Sequence, residues 1–370
     1  MTPPCEVFAP EAVARAEVAV IIPARNEVER IGPCLDSLAN QAGRDSCAIH
    51  VCVNNTTDGT ADIVRARAQQ HGLALVLTEL DLPRDGVGRA RRLGHLMAMR
   101  LSPQAHALLS TDADCVAMPG WLDGMRRALR SHPAVLGRIE GLDDLPAALI
   151  EVLRSRGQLE DTYLRLSMEF ARLVSDESPD AIGLNTAGGA NLGVQRGVYR
   201  AVGGFRAQRS GEDRDLINRV IGAGHRPVRA EDAIMRASMR PDGRAPGGMA
   251  DKIAARLEET GCTLDTALVG VSAMLTRSTI CEAQRPALTS VDAARELPIL
   301  RAHVDALKGL RSLAERRNYL TRVSQQACSD TAARDAATAS RRQRPAPEGR
   351  LLCQTPDGAH RPARGHSETL

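Results

Sequence analysis

Short, wholly apolar runs alternate with longer amphipathic stretches over residues 18–131. Val18-Ala-Val-Ile-Ile22 is an apolar run ended by Pro23, and Ala48-Ile-His-Val-Cys-Val53 is another, ended by Asn54-Asn55. Ala74-Leu-Val-Leu77 and Ala107-Leu-Leu109 complete the set. Between them, residues 27–40, 59–71 and 87–101 are rich in Ala, Arg and Leu and predict helices. Buried runs alternating with helices predict an α/β fold built on a central, mostly parallel sheet covered by helices. In such sheets ligands bind outside the carboxyl ends of the strands. The loops after Ile22, Val53 and Leu109 are therefore the places to look for chemistry.

Further along, the pattern turns helical. Residues 145–176 predict one long helix ending at Ser178-Pro179, followed by a Gly-rich, loop-like stretch over 181–193. Helix returns at 213–223, and residues 250–325 predict several helices, with Ile299 to Leu313 the most periodic. The last stretch, 329–370, is Arg, Pro, Ala and Ser with few large apolar residues, a composition that predicts a disordered tail. The expected organisation is an extension over 1–17, a main domain over 18–245, a helical extension over 246–328, and the tail.

Composition narrows the function classes. A chain of 370 residues can bury a large core. Its formal net charge of +3 gives no global attraction to nucleic acid, and 2% aromatics leave little to stack bases on. Lys252 and Lys308 are the two lysines; every other basic side chain is arginine. The nine cysteines form no Cys-x-x-Cys and no Cys/His cluster at zinc spacing, which points to free thiols in a reducing cytoplasm. The opening Met1-Thr-Pro-Pro-Cys5 lacks a basic segment followed by an apolar one, and no apolar run approaches the ~18–20 residues that span a bilayer. At most peripheral membrane contact is expected.

The strongest chemical signal is Ser110-Thr-Asp112-Ala-Asp114, directly after an apolar run. Two carboxylates one residue apart at a strand end can both face a hard divalent cation such as Mn²⁺ or Mg²⁺. Such an ion would neutralise charge growing on a leaving diphosphate. Pro23-Ala-Arg-Asn-Glu27 follows the first strand; as plain structure, Asn26 caps a helix that has Glu27 in its first turn. Asn54-Asn-Thr-Thr-Asp-Gly-Thr60 follows the second and suits a turn and helix start. Three polar loops at one end of a predicted sheet exceed what those turns require. Gly86-Val-Gly-Arg89-Ala-Arg-Arg92 is a glycine-bearing turn into a helix, where N–H groups and arginines meet phosphate. Arg236, Arg240 and Arg244 flank a Pro241-Asp-Gly243 turn and form a second candidate diphosphate cluster.

Taken in order, these segments resemble the successive motifs of family 2 glycosyltransferases. Gly188-Gly-Ala-Asn-Leu-Gly-Val-Gln-Arg196, Val202-Gly-Gly-Phe205 and Gly211-Glu-Asp-Arg-Asp-Leu216 are similar to that family's acceptor loop and its Glu-Asp catalytic motif. The resemblance runs from about 18 to 240 and implies a GT-A type fold, with a nucleotide-binding half over 18–131 and an acceptor half over 132–245. It implies that Pro23, Ala24, Arg25, Glu27, Asn54, Arg89, Arg92 and Asp112 line a UDP- or GDP-linked sugar. By the same resemblance, Gly188, Gly189, Ala190 and Asn191 meet the acceptor, Asp114 with Asp112 holds the metal, and Asp213, with Glu212 beside it, is the general base. Sugar transfer needs a group that takes a proton from the acceptor hydroxyl, and one displacement by one base predicts inversion.

Two departures from the family pattern matter. Asn54 stands where many members carry an aspartate that reads the base. The processive signature Gln-x-x-Arg-Trp is missing, since the single tryptophan is Trp121, so transfer of one sugar to a small or lipid-linked acceptor is expected. The rival readings are a sugar-phosphate nucleotidyltransferase and a degenerate nucleotide-sugar binder. The first would carry a lysine after the first strand, and no lysine precedes Lys252. Intact Asp112, Asp114 and Asp213 oppose the second, while Asn54 leaves it open.

Overall fold

Strand burial explains the apolar runs. The computed structural model describes residues 4–41, 43–82, 86–175, 186–243, 248–258, 263–265, 267–276 and 287–325. In chain order the first half comprises β1 (Cys5–Phe8), α1 (Pro10–Arg15), β2 (Val18–Ala24), α2 (Ile31–Ala39), β3 (Cys47–Asn54) and α3 (Thr60–His71). β4 (Leu75–Leu80), α4 (Val87–Leu101), β5 (Ala107–Ser110), β6 (Cys115–Ala117) and α5 (Trp121–Ser131) follow. Then come β7 (Ala134–Gly141), α6 (Ala147–Val174), β8 (Leu192–Gln195), α7 (Arg196–Ala201), α8 (Glu212–Gly222) and β9 (Val228–Ala237). α9 (Met249–Glu258), α10 (Val271–Thr276) and α11 (Ser290–Lys308) follow, and residues 313–325 are also helical. Every residue of β2, β3 and β5 is buried, so neither face needs polar positions.

One sheet carries the molecule, in the order β1-β4-β3-β2-β5-β8-β7-β9-β6. The four strands expected from the sequence form its parallel centre, β4-β3-β2-β5, with Val18 opposite both Cys47 and Ala107. Antiparallel pairing joins β1 to β4, β5 to β8, β8 to β7 and β6 to β9, while β7 and β9 are parallel. Six strands thus run one way and β1, β6 and β8 the other. The sheet is mixed α/β with a dominant direction.

Five strands have no counterpart in the sequence reading, for physical reasons. β6 is three residues long, β7 ends in Gly-Arg-Ile-Glu-Gly, and β9 carries Arg229, Glu231 and Asp232. Their stability comes from partners far away in the chain, which no local period reports. β8 begins inside the Gly-rich stretch expected to be a loop. The first turn of the expected 27–40 helix is also displaced: α2 starts at Ile31 with Arg30 at its cap position. Asn26 therefore caps no helix. It sits at φ 53° and its side-chain oxygen accepts the Thr57 N–H at 2.8 Å, pinning the first loop to the second.

Helices cover both faces. Val18, Val20 and Ile22 pack with α2, α3 and α5, whereas Ala19 and Ile21 pack with α4, α7 and α8. Gly94 lets α4 lie close on β2, since a Cβ there would stand 2.6 Å from Ile21 Cγ2. A third cluster joins Tyr163, Leu166, Phe170 and Leu173 of α6 to Leu300, Val304 and Leu307 of α11. No described helix is long and apolar enough to cross a membrane. The expected tail lies outside the described residues.

Candidate active site

The ends of β2, β3 and β5 deliver three loops to one edge of the sheet, and α4 and α8 point their first turns at the same place. Arg91, one turn inside α4, is the centre of the arrangement. It is 3% exposed. Its Nε donates to Glu212 Oε1 at 2.9 Å, and its Nη1 donates to Ser110 Oγ at 2.5 Å and to the Gly189 carbonyl at 3.0 Å. Its Nη2 donates to Asp112 Oδ1. One guanidinium thereby joins the strand-end acid, the Gly188–Asn191 loop and the acid that opens α8. Burial works against its charge, but Asp112, Glu212 and Asp213 outweigh burial and hold its pKa above the ordinary arginine range.

Sequence reasoning chose Arg89 and Arg92 from this turn and passed over Arg91. Arg92 is exposed and donates to the carbonyls of Gly203 (3.1 Å) and Phe205 (2.7 Å), tying α4 to the loop before α8. Arg89 is half-buried on the flank of α4. A usable signal existed: Arg91, Gly94, His95 and Ala98 share the buried stripe of α4 at helical spacing. A charged residue on such a stripe needs partners, and the site carboxylates supply them.

A second arginine pairs the other acids. Arg240 follows β9 and is 7% exposed. Its Nη1 donates to Glu27 Oε2 at 3.0 Å, its Nη2 donates to Glu27 Oε1, and that Nη2 also lies 3.0 Å from Asp114 Oδ2. Glu27 is held in turn by its own N–H, which donates to Thr60 Oγ1 at 2.9 Å. Burial first, then neighbouring Asp112, raise the Asp114 carboxyl to about 6 against the pull of Arg240. Glu212 is likewise raised by burial, with Arg91 opposing.

Asp213 differs from its neighbour. It is half-buried rather than enclosed, and its Oδ2 accepts the Gly189 N–H at 2.8 Å while its Oδ1 accepts the Arg214 N–H at 2.7 Å. Gly189 has to be glycine here, because a Cβ would stand 2.2 Å from Arg91 Nη2. Asn191, grouped with the acceptor loop from sequence, ties that loop to the sheet and to α5. It is 1% exposed, accepts the Trp121 Nε1–H at 2.8 Å, and donates to the carbonyls of Arg138 (2.8 Å) and Ala233 (2.9 Å). Gly188 and Ala190 flank it at the same edge. Pro23 and Ala24 end β2, Arg25 is exposed beyond them, and Asn54 ends β3 with its amide toward Asn55. Arg236 turns away to the Gly141 carbonyl and Asp143, and Arg244 lies outside the described residues.

Asp112, Asp114 and Cys115 bring one potential ligand atom each within 4.8 Å of one another. Burial pushes the Cys115 thiol well above its usual range, which disfavours the thiolate. Two carboxylate oxygens remain, a donor set that suits a hard divalent ion.

Residues 19–165 match the model of glycosyl transferase family 2. The matched region runs from β2 into α6 and contains Glu27, Asn54, Arg91, Asp112 and Asp114. Gly189, Glu212, Asp213 and Arg240 reach the same site from beyond it. No curated protein matches the chain in sequence. Among solved structures it is similar to S. aureus TarS 1-349 in complex with UDP-GlcNAc, at TM-score 0.44 and 16% identity over 72% of this chain and 68% of that one. It is also similar to the mannosyltransferase PcManGT from Pyrobaculum calidifontis, in complex with GDP-Man and Mn2+, at TM-score 0.47 and 21% identity over 89% of each chain.

Proposed function

We propose that the chain transfers a single sugar from a UDP- or GDP-linked donor to an acceptor hydroxyl, inverting the anomeric centre. The observation that carries this reading is the Arg91 junction, which joins the strand-end Asp112 to the Gly189 loop and the Glu212-Asp213 pair. Donor-side and acceptor-side acids thereby share one site. Asp112 and Asp114 are the residues that would hold a divalent cation, Mn²⁺ or Mg²⁺, which when bound stabilises negative charge on a leaving diphosphate. Pro23, Ala24, Arg25, Glu27 and Asn54 form the donor edge. Asp213 is the base: its two N–H partners fix the carboxylate plane, and its partial exposure leaves a face open to an acceptor. Glu212, enclosed and bound to Arg91, is its anchor. The transferase unit is placed at 18–245, with 246–328 as a helical extension.

Asp213→Asn keeps shape and removes the basic charge. Its kcat should fall by about 10²–10⁴-fold while donor affinity, titrated calorimetrically with Mn²⁺, stays near wild type. EDTA should abolish transfer, and an α-linked donor should give a β-linked product. Near-normal turnover in Asp213→Asn, or a product that retains the donor configuration, rejects the assignment.

A further inference from the structure

Arg240 and Arg91 both pair with site acids, but their settings differ. Arg91 bonds two carboxylates, a hydroxyl and a backbone carbonyl, so each arm of its guanidinium has a fixed partner. Among the described residues, the Arg240 side chain bonds only carboxylates, Glu27 and Asp114. The N–H of Arg240 donates to Ser238 Oγ at 3.3 Å, and the two residues before it are anchored by their backbones. The Ser238 N–H donates to the Asp114 carbonyl at 3.2 Å, and the Met239 N–H donates to Asp144 Oδ1 at 2.9 Å. The side chain can therefore change partners without moving the strand end that carries it.

Charge gives it a reason to do so. Glu27, Asp112, Asp114, Glu212, Asp213 and Asp242 act on Arg91 and Arg240, six carboxylates against two guanidiniums. The guanidinium of Arg240 lies 3.0 Å from Asp114 Oδ2, an oxygen that a cation at this edge would also use.

 Salt-bridge pairing thus places a positive charge where a divalent ion would compete for the same carboxylate. A nucleotide diphosphate entering the site offers that guanidinium a new anionic partner.

We propose that Arg240 is a latch on the cation site: it occupies Asp114 in the nucleotide-free chain and transfers its contact to the donor diphosphate when the nucleotide binds. The inference rests on the reading of Asp112 and Asp114 as cation ligands. It makes cation and nucleotide binding mutually reinforcing, because each favours the state in which Arg240 has left Asp114. Glu27 is the seat that keeps the guanidinium within reach in both states.

Calorimetric titration with Mn²⁺ alone, and then with UDP or GDP at saturating Mn²⁺, tests the latch. Arg240→Gln should bind Mn²⁺ alone about tenfold more tightly, the size of one partly screened charge interaction. The same variant should bind the nucleotide that wild type prefers about tenfold more weakly. A purely structural arginine would weaken both, and a simple phosphate contact would leave Mn²⁺ binding unchanged; either result overturns the latch. Should Arg240→Gln fail to fold, Glu27→Gln carries the test. Without its seat the guanidinium rests wholly on Asp114, so Mn²⁺ binding alone should weaken, and unchanged affinity overturns the proposal. If wild type with Mn²⁺ holds neither UDP nor GDP, the transferase reading fails and the latch fails with it, whereas nucleotide binding with unchanged Mn²⁺ affinity in Arg240→Gln overturns the latch alone.

Discussion

Two arginines divide the acids of the site between them, and the backbone makes room for each. Gly189 is where that room is tightest. Its carbonyl accepts from Arg91 and its N–H donates to Asp213, so one residue touches both the junction and the proposed base. Gly189→Ala would force the guanidinium away from Asp112 and Glu212, leaving buried carboxylates short of their counter-charge. We expect a loss of about 2–4 kcal/mol in urea unfolding, within the range for disrupting a buried ion pair or network. Transfer should drop by about 10²-fold, because the displaced groups sit next to the chemistry. Wild-type stability in Gly189→Ala would show that the loop has slack the close contact denies.

At the scale of elements, α4 is the piece that sets the site against the sheet. One face of it carries Arg91 to the carboxylates, and the next turn inserts His95 between Tyr199 and Phe205, with ring centroids 4.8 and 4.9 Å away. His50 of β3 is buried nearby and bonds Ser102 at 3.0 Å. Burial lowers both imidazoles to about 3. The folded chain keeps these rings neutral, whereas the unfolded chain takes up protons below about 6.5. Their contribution is therefore complete above that pH and drains away as pH falls toward 3. The expected slope is about 1.4 kcal/mol per pH unit for each histidine. His95→Phe keeps the aromatic packing without the proton site, so its urea stability should depend less on pH between 6.5 and 4.5. An unchanged slope in the variant would remove His95 from the acid response.

Across the whole molecule, the helical extension is wired to the site helix. Arg214, next to Asp213, pairs with Asp265 at 2.7 Å, and Lys252 of α9 pairs with the same carboxylate at 2.8 Å. Glu160 of α6 accepts the Asp265 N–H at 2.8 Å. Below this polar seam, Leu300 of α11 is fully buried in the cluster with Tyr163 and Phe170. Leu300→Ala should cost about 2–5 kcal/mol, the range for truncating a buried leucine. Trp121, the single tryptophan, is buried against the sheet, so its fluorescence reports the other half of the molecule. If the halves unfold together, the Trp121 transition moves with the mutation. A Trp121 transition that stays in place would show that the extension unfolds by itself.

The four central strands and the helices between them are legible in the sequence because each is a local pattern. A strand buried on both faces must be apolar throughout, and a helix against a sheet must be apolar along one stripe. The acids at the strand ends, Asp112 and Asp114, are visible for the same reason, since they follow directly on such a run. Strands β6 to β9 are not, because their pairing partners are supplied from elsewhere in the chain, β6 and β8 are too short for a pattern, and β7 and β9 carry charged residues. The identity of the pivotal arginine also needed the tertiary structure. Arg89, Arg91 and Arg92 are alike as residues; helical spacing sets Arg91 on one stripe with Gly94, His95 and Ala98, and the packing of α4 on β2 gives it the site carboxylates as partners. The pairing of Glu27 with Arg240 spans most of the described chain and leaves no local trace. Sequence alone determined which chemistry was present, because side-chain types and local periods are written residue by residue. Which charges meet was decided by the fold, because that depends on distances between segments that the order of residues does not contain.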